Sequence, residues 1–161
     1  MKILGIILLF LSVSFFGFYI AEKYISEIKD LKRVDLFIKN ILFGLESENM
    51  TVNEIFEFEK NSGDKKTKDF LDSISPKDFE KINEKAFETN FCKNKTANLI
   101  LNEVFSVLGK YSAKEQIKEI SFCRNKILSY YDKNEKLFLE KAKLSRYSGI
   151  LAAIFSIILF I

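Results

Sequence analysis

The sequence predicts an all-α protein, a membrane-anchored six-helix bundle with an N-terminal transmembrane helix and a C-terminal hydrophobic membrane segment. Apolar residues recur at three- and four-residue spacing, and no stretch shows sustained two-residue alternation. Residues 3–21 carry no charge, and a second uncharged apolar run closes the chain. We therefore expect a transmembrane helix at 1–21, a cytoplasmic helical domain at 22–147 and a membrane segment at 148–161.

Composition excludes several classes of function. The chain has 25 Lys and Arg and 22 Asp and Glu, which give a formal charge of +3. The acidic residues are spread between Glu22 and Glu140, and the sequence shows no concentrated basic patch. Such a patch is the usual sign of nucleic-acid binding, so that class of function is excluded. Cys92 and Cys123, in a chain without histidine, cannot form a four-ligand zinc site, and we expect both to be reduced and partly buried. There is no phosphate-binding glycine loop and no nucleophile with a matching base. We expect no enzymatic activity, metal or cofactor.

The first element is the uncharged run 3–21, which matches the roughly 20 apolar residues that a helix needs to cross a bilayer. The alternative is a cleaved signal peptide. Only Lys2 precedes the run, and no small-x-small cleavage site stands before Glu22. These features favour an uncleaved anchor.

Local signals divide the next part of the chain into three helices. Thr51 and Glu54 form a capping box that opens the second helix, which ends at Gly63, and Asp64 can cap the third. The first helix after the anchor has an apolar seam of the coiled-coil type at Leu31, Val34, Ile38, Ile41 and Leu45. The third carries Phe70, Leu71 and Ile74.

Two further helices are predicted before the last one. Ser75 followed by Pro76 is a typical helix start, and the fourth helix has its apolar face at Phe79, Ile82, Ala86 and Phe87. Thr96 is the expected cap of the fifth helix, whose inward side chains are Leu99, Ile100, Val104, Phe105 and Leu108.

The sixth helix is expected to run into the apolar tail. Gly109 suits the left-handed residue that ends the preceding helix, and Ser112 with Glu115 forms a second capping box. Apolar spacing then continues, and no glycine or proline interrupts the chain before Gly149. The tail could instead be an apolar helix end that packs on the domain, but it has no polar face that could be exposed to water. This favours membrane insertion.

Alternating helix directions place two turns at the end of the domain farthest from lipid. Surface residues there are candidates for binding a partner: Glu46, Glu48, Lys110, Tyr111 and Lys114. The alternative is that they are simply solvated turn residues. Basic residues flank both apolar runs on the domain side, which favours a cytoplasmic domain.

The order of several short motifs resembles the stage III sporulation protein AB family of endospore-forming bacteria. The most specific piece is Leu108-Gly109 followed by Gln116, with Ser112 where the family has an aspartate. The tail from Gly149 completes a match that covers essentially the whole chain. The first span contributes Leu4-Gly5, Gly17-Phe18, Ala21 and Tyr24.

The resemblance implies a non-enzymatic platform in the mother-cell membrane facing the forespore. The family's helical domain is similar to cytoplasmic domains of type II secretion inner-membrane platform proteins. The implied partners are stage III sporulation protein AA, a cytoplasmic ATPase, and other membrane proteins of the channel complex, without a cofactor. Self-association is left open. The alternative function is a membrane-anchored sensor or ligand-binding bundle displayed outside the cytoplasm.

Overall fold

The computed structural model describes residues 2–47, 50–74 and 90–160, and these residues form helices without any strand. The helices are α1 (Lys2–Glu46), α2 (Val52–Ser62), α3 (Lys65–Ile74), α4 (Lys95–Val107) and α5 (Ala113–Phe160). The all-α prediction is confirmed. The predicted fourth helix, with its start at Ser75, lies outside the described residues, so a count of six helices stays a prediction.

The predicted ends of α2 and the start of α3 are confirmed. The Glu54 backbone N–H donates to the Thr51 hydroxyl, while the Thr51 N–H donates to the Glu54 carboxylate over 2.7 Å. Gly63 follows the last residue of α2, and the Thr67 N–H donates to Asp64 Oδ1 over 2.9 Å. Side chains thus accept from the backbone N–H groups that a helix start leaves unpaired.

The predicted cap of α4 at Thr96 is wrong, because Asn94 caps this helix instead. Asn94 Oδ1 accepts from the Ala97 N–H over 3.0 Å, so Thr96 lies inside the first turn. Asn98 explains the earlier start: its side chain accepts from the Cys92 N–H and donates to the Cys92 carbonyl. These two bonds fold the preceding loop back onto the helix.

The chain divides into two compact units. The first, which we call the hairpin unit, comprises Met1–Lys29 and Asp132–Ile161, and the second, the bundle unit, comprises Asp30–Tyr131. In the hairpin unit the beginning of α1 and the end of α5 pair in antiparallel fashion. The Tyr24 and Phe138 rings stack with centroids 6.4 Å apart, and Lys141 Nζ lies 5.8 Å from the Tyr24 ring.

The closest approach in the hairpin unit joins Gly17 and Gly149. A Cβ atom added to Gly17 would lie 2.7 Å from the Gly149 Cα and 2.8 Å from the Ser145 carbonyl oxygen. Small buried residues continue this seam on both sides: Ala21, Ala142 and Ala153. Small side chains let two helix backbones come this close, as they do between helices in membranes.

The Gly17–Gly149 contact also sets the level at which the two apolar runs lie. Because the helices are antiparallel, residues 3–21 of α1 lie alongside the tail that follows Tyr147. Among the described residues, α1 is the one helix that is long and apolar enough to cross a membrane. Insertion of the C-terminal segment stays a prediction.

Five phenylalanines form the centre of the bundle unit. Each comes from a different segment, namely α1, α2, α3, α4 and the loop before α4, and their ring centroids lie 4.8–6.1 Å apart. They are Phe37, Phe56, Phe70, Phe105 and Phe91. The predicted α1 seam is buried beside them. Burial of such rings dominates core energetics, so this cluster ties the described segments together.

A buried carboxylate connects α1 to two other segments of the bundle unit. Asp30 is 1% exposed and accepts from Arg33 Nη1 over 2.7 Å and from the Lys93 N–H over 3.1 Å. Arg33 Nε donates in turn to Asp64 Oδ2 over 2.6 Å. Buried charges are retained only where they are paired, and here the pairing links α1 to the start of α3 and to the loop before α4.

The glycine contact predicts the effect of adding one methyl group. We expect Gly17→Ala to destabilise the full chain in detergent by about 1–3 kcal/mol. The new Cβ would clash with backbone atoms of Gly149 and Ser145, which cannot move away by changing a side-chain rotamer. Thermal unfolding followed by circular dichroism measures this change. Gly5→Ala is the matched control, because no atom lies within 4 Å of its added Cβ. Equal melting temperatures for the two variants would contradict the close contact.

Candidate partner-binding surface

The predicted partner-binding residues belong to the ends of α1 and α5 in the bundle unit. These two helices are antiparallel there: Arg124 Nε lies 2.9 Å from Asp35 Oδ1, and Lys32 Nζ lies 5.3 Å from the centroid of the Tyr131 ring. Antiparallel pairing places the end of α1 and the start of α5 at the same end of this unit.

The side chains at this end are open to solvent. Tyr111 is 55% exposed, and Glu46, Lys110 and Lys114 are also exposed. Glu48 lies outside the described residues. A large exposed aromatic ring beside two cations is a surface that a protein partner can bury.

The signature residues build the turn that presents Tyr111. Gly109 has φ 75°, and its N–H donates to Gln116 Oε1 over 3.1 Å. Gln116 Nε2 donates to the Tyr111 carbonyl over 2.6 Å, so one buried amide closes the turn from both sides. Ser112 and Glu115 complete the predicted capping box, and Leu108 is buried. Their role here is structural, and Gly149, the remaining signature residue, belongs to the hairpin contact.

An apolar surface between α1 and α2 was not predicted from the sequence. Leu36, Phe43 and Phe58 are 55%, 53% and 48% exposed. Beside them is a pocket of about 140 Å³, lined by Asn40, Phe43, Gly44, Met50, Ile55 and Phe58. One signal could have indicated this surface, since Leu36 and Phe43 are two turns apart on α1 and fall outside its buried seam.

A carboxyl group is buried next to this pocket. Glu59 is 2% exposed, and Asn40 Nδ2 donates to Glu59 Oε1 over 2.6 Å. Burial raises the pKa of Glu59 above its ordinary value of 4.5, while the Asn40 hydrogen bond partly offsets this effect. Ionisation of Glu59 therefore costs free energy in the folded protein.

The described residues offer little for catalysis or metal binding. No group of three His, Cys, Asp or Glu side chains there could hold a metal ion. Cys92 and Cys123 are free and buried, as predicted, and burial raises the pKa of each thiol to about 11. A thiol with that pKa is a poor nucleophile near neutrality. The exposed apolar and charged surfaces are better suited to protein contacts.

The Glu59 pKa predicts a pH-dependent stability. The pKa of Glu59 is higher in the folded than in the unfolded protein, so the folded state loses stability as the pH rises from about 4.5 through the raised pKa. Glu59→Gln keeps an acceptor for Asn40 and removes the titration, so we expect it to raise the unfolding free energy at pH 7 by about 1 kcal/mol. Denaturant unfolding of the full chain at pH 4 and pH 7 measures this.

Glu57→Gln is the control for Glu59→Gln, because the Glu57 side chain is 70% exposed. It should leave stability unchanged at both pH values. If Glu59→Gln changed stability by the same amount at pH 4 and pH 7, ionisation of Glu59 would have no effect on stability and the argument would fail.

Comparison with known proteins gives one result that covers the whole chain. The model of the stage III sporulation protein AB family matches residues 2–161. No curated protein and no solved structure matches the chain. The match includes both apolar runs, the buried seam of α1 and the Leu108-Gly109 turn, and on this basis the chain belongs to the stage III sporulation protein AB family.

Proposed function

We propose that this family member is a non-enzymatic membrane platform that couples a cytoplasmic secretion-type ATPase to the mother cell–forespore channel during endospore formation. Family membership indicates a role in sporulation. The observation that carries the proposal further is the Gly17–Gly149 contact, which places two uncharged helical segments side by side. A paired anchor suits a protein that must resist force from a partner.

The outer face of the hairpin unit supports membrane insertion of both segments. Large apolar side chains are exposed along each helix: Ile7, Leu8, Leu11, Phe15, Phe16 and Phe18 on α1, and Leu151, Ile154, Phe155 and Ile158 on α5. Exposed apolar surface of this extent is costly in water at roughly 25 cal/mol per Å², and lipid removes that cost.

The basic residues beside the two apolar runs support a cytoplasmic bundle unit. Basic residues follow the first apolar run and precede the second, and cytoplasmic flanks carry such an excess. They are Lys23, Lys29, Lys32 and Arg33, then Lys136, Lys141, Lys143 and Arg146. On the other side only Lys2 stands near the start of the first run.

The surface around Tyr111 is the proposed docking site for the ATPase, stage III sporulation protein AA. Tyrosine side chains concentrate binding energy at interfaces, and charged neighbours mainly steer the approach. Tyr111 is held outward by the Gly109–Gln116 turn, so it is available without rearrangement. Other membrane proteins of the channel complex would contact the remaining surfaces.

Topology separates the platform from an external sensor. We expect a reporter fused after residue 60 to be cytoplasmic and one fused after residue 161 to be exported, because the basic flanks favour the cytoplasm. Paired alkaline phosphatase and fluorescent-protein fusions measure both positions. An exported reporter at residue 60 would support the sensor and contradict the platform.

The docking site predicts a loss of affinity in a double variant. We expect Tyr111→Ala with Lys114→Glu to weaken binding of the purified ATPase to the full chain in detergent by at least about tenfold, since an anchor and a steering charge are both lost. Calorimetric titration measures the affinity, and circular dichroism checks that the helices are retained.

Phe122→Ala with Lys118→Glu is the matched control for this double variant. It removes one exposed aromatic ring and reverses one exposed lysine on the same helix, away from the turn. It should bind like the unaltered chain. Equal affinities for the two double variants would place the docking surface elsewhere.

A further inference from the structure

The described part of the chain holds three sulfur atoms, and their chemical surroundings differ. Cys92 and Cys123 are free and buried, and burial raises the pKa of each thiol to about 11. Met50 is half-buried and lines the pocket between α1 and α2. Peroxides oxidise a cysteine through its thiolate, which is scarce at neutral pH when the pKa is that high. A thioether has no proton to lose, so the Met50 sulfur stays reactive at neutral pH.

The backbone just before α2 holds Met50 in place. The Met50 N–H donates to the Gly44 carbonyl over 2.9 Å, and the capping box fixes the next residue, Thr51. A Cβ atom added to Gly44 would lie 3.6 Å from Met50 Sδ and 2.6 Å from Ile55 Cγ1. The thioether therefore packs against the bare backbone of α1 beside the closest approach of α2, and it fills part of the contact between these two helices.

The pocket gives a small oxidant access to this sulfur. Its volume of about 140 Å³ is several times the roughly 30 Å³ that a water molecule occupies in the liquid. Phe43 and Phe58, which also line it, are 53% and 48% exposed, so the pocket opens to solvent. Of the six lining residues, Asn40 alone has nitrogen or oxygen in its side chain. The sulfur is thus within reach of a peroxide, in surroundings that offer an oxidised side chain few hydrogen-bond donors.

We propose that Met50 is an oxidation site through which peroxides loosen the packing of α1 against α2. In the reaction with hydrogen peroxide, one peroxide oxygen bonds to Met50 Sδ while the O–O bond breaks. The sulfur is oxidised to a sulfoxide, the peroxide takes up two electrons, and its other oxygen leaves as water. Methionine sulfoxide reductases reverse this change, so the modification can act as a switch.

Oxidation changes the side chain from an apolar one that fills the pocket to a polar one that does not suit it. A polar group buried without a hydrogen-bond partner costs free energy, and solvent supplies the donors that the pocket lacks. The oxidised side chain is therefore more stable outside, where it no longer covers Gly44 and Ile55. Both effects destabilise the bundle unit, whether or not the protein acts as the proposed platform.

The test measures oxidation and stability of the full chain in detergent. Dilute hydrogen peroxide is added at pH 7, and peptide mass mapping gives the extent of oxidation at Met50, Cys92 and Cys123. We expect the Met50 rate to be within about tenfold of that in the denatured chain, with both thiols unmodified, because the pocket admits peroxide. Denaturant unfolding should show an equilibrium constant for unfolding that oxidation raises about tenfold.

Two variants of Met50 assign the effect to this sulfur atom. Met50→Leu keeps the apolar volume and removes the sulfur, so it should unfold like the unaltered chain and no longer respond to peroxide. The chain's other methionine, Met1, is retained in this variant and controls for oxidation elsewhere. Met50→Gln places a permanent polar group in the pocket, so it should reproduce the loss of stability without peroxide. Circular dichroism checks that the helices are retained.

Three results would overturn the proposed site. A greater slowing of Met50 oxidation in the folded chain would show that peroxide reaches the sulfur only after local unfolding. Equal stability of the oxidised and reduced chains would show that the thioether does not support the packing of α1 against α2. A loss of stability on peroxide treatment of Met50→Leu would assign the effect to another residue. If Met50→Gln did not fold, the comparison of oxidised with reduced unaltered chain would still decide the question.

Discussion

The contact between Gly17 and Gly149 is the constraint from which the arrangement of the hairpin unit follows. Two helix backbones meet there at a distance that leaves no room for a Cβ atom. Since helices are stiff, one such contact fixes which residues face each other along the whole pair. The level at which the two apolar runs lie beside each other follows from that single register.

The bundle unit contains a different kind of constraint, the pairing of the buried Asp30 carboxylate. Asp30 accepts hydrogen bonds from the Arg33 guanidinium and from the Lys93 N–H, and Arg33 also pairs with Asp64. These bonds join three segments of the bundle unit. Glu59 accepts a hydrogen bond from the neutral Asn40 amide, and burial raises the pKa of Glu59. Asp30 therefore connects segments of the fold, whereas ionised Glu59, beside the apolar pocket, lowers the stability of the folded protein.

Local rules were enough to predict much of this fold. The caps at Thr51, Asp64 and Ser112, and the left-handed Gly109, depend on side chains within three or four residues of each other. The start of α4 was missed because two polar residues compete for one cap, and Asn98 decides between them.

Features that depend on distant residues could not be predicted in this way. Nothing near Gly17 in the sequence indicates that Gly149 is its neighbour. Periodicity places Phe43 outside the buried seam of α1, but the packing of α1 against α2 is needed to show that the Phe43 and Phe58 rings border one pocket and reach solvent. The candidate turn was located from helix directions, whereas the bonds of Gln116 that hold it required the structure.

The two cysteines have a practical consequence. Both thiols are enclosed, and at neutral pH only about one in ten thousand of each would be ionised, given a pKa of about 11. Alkylating probes react with thiolates, so the native sulfur atoms should stay unlabelled while an introduced surface cysteine reacts. Fluorophores for distance measurements could therefore be attached without first removing Cys92 or Cys123, leaving the folded core intact.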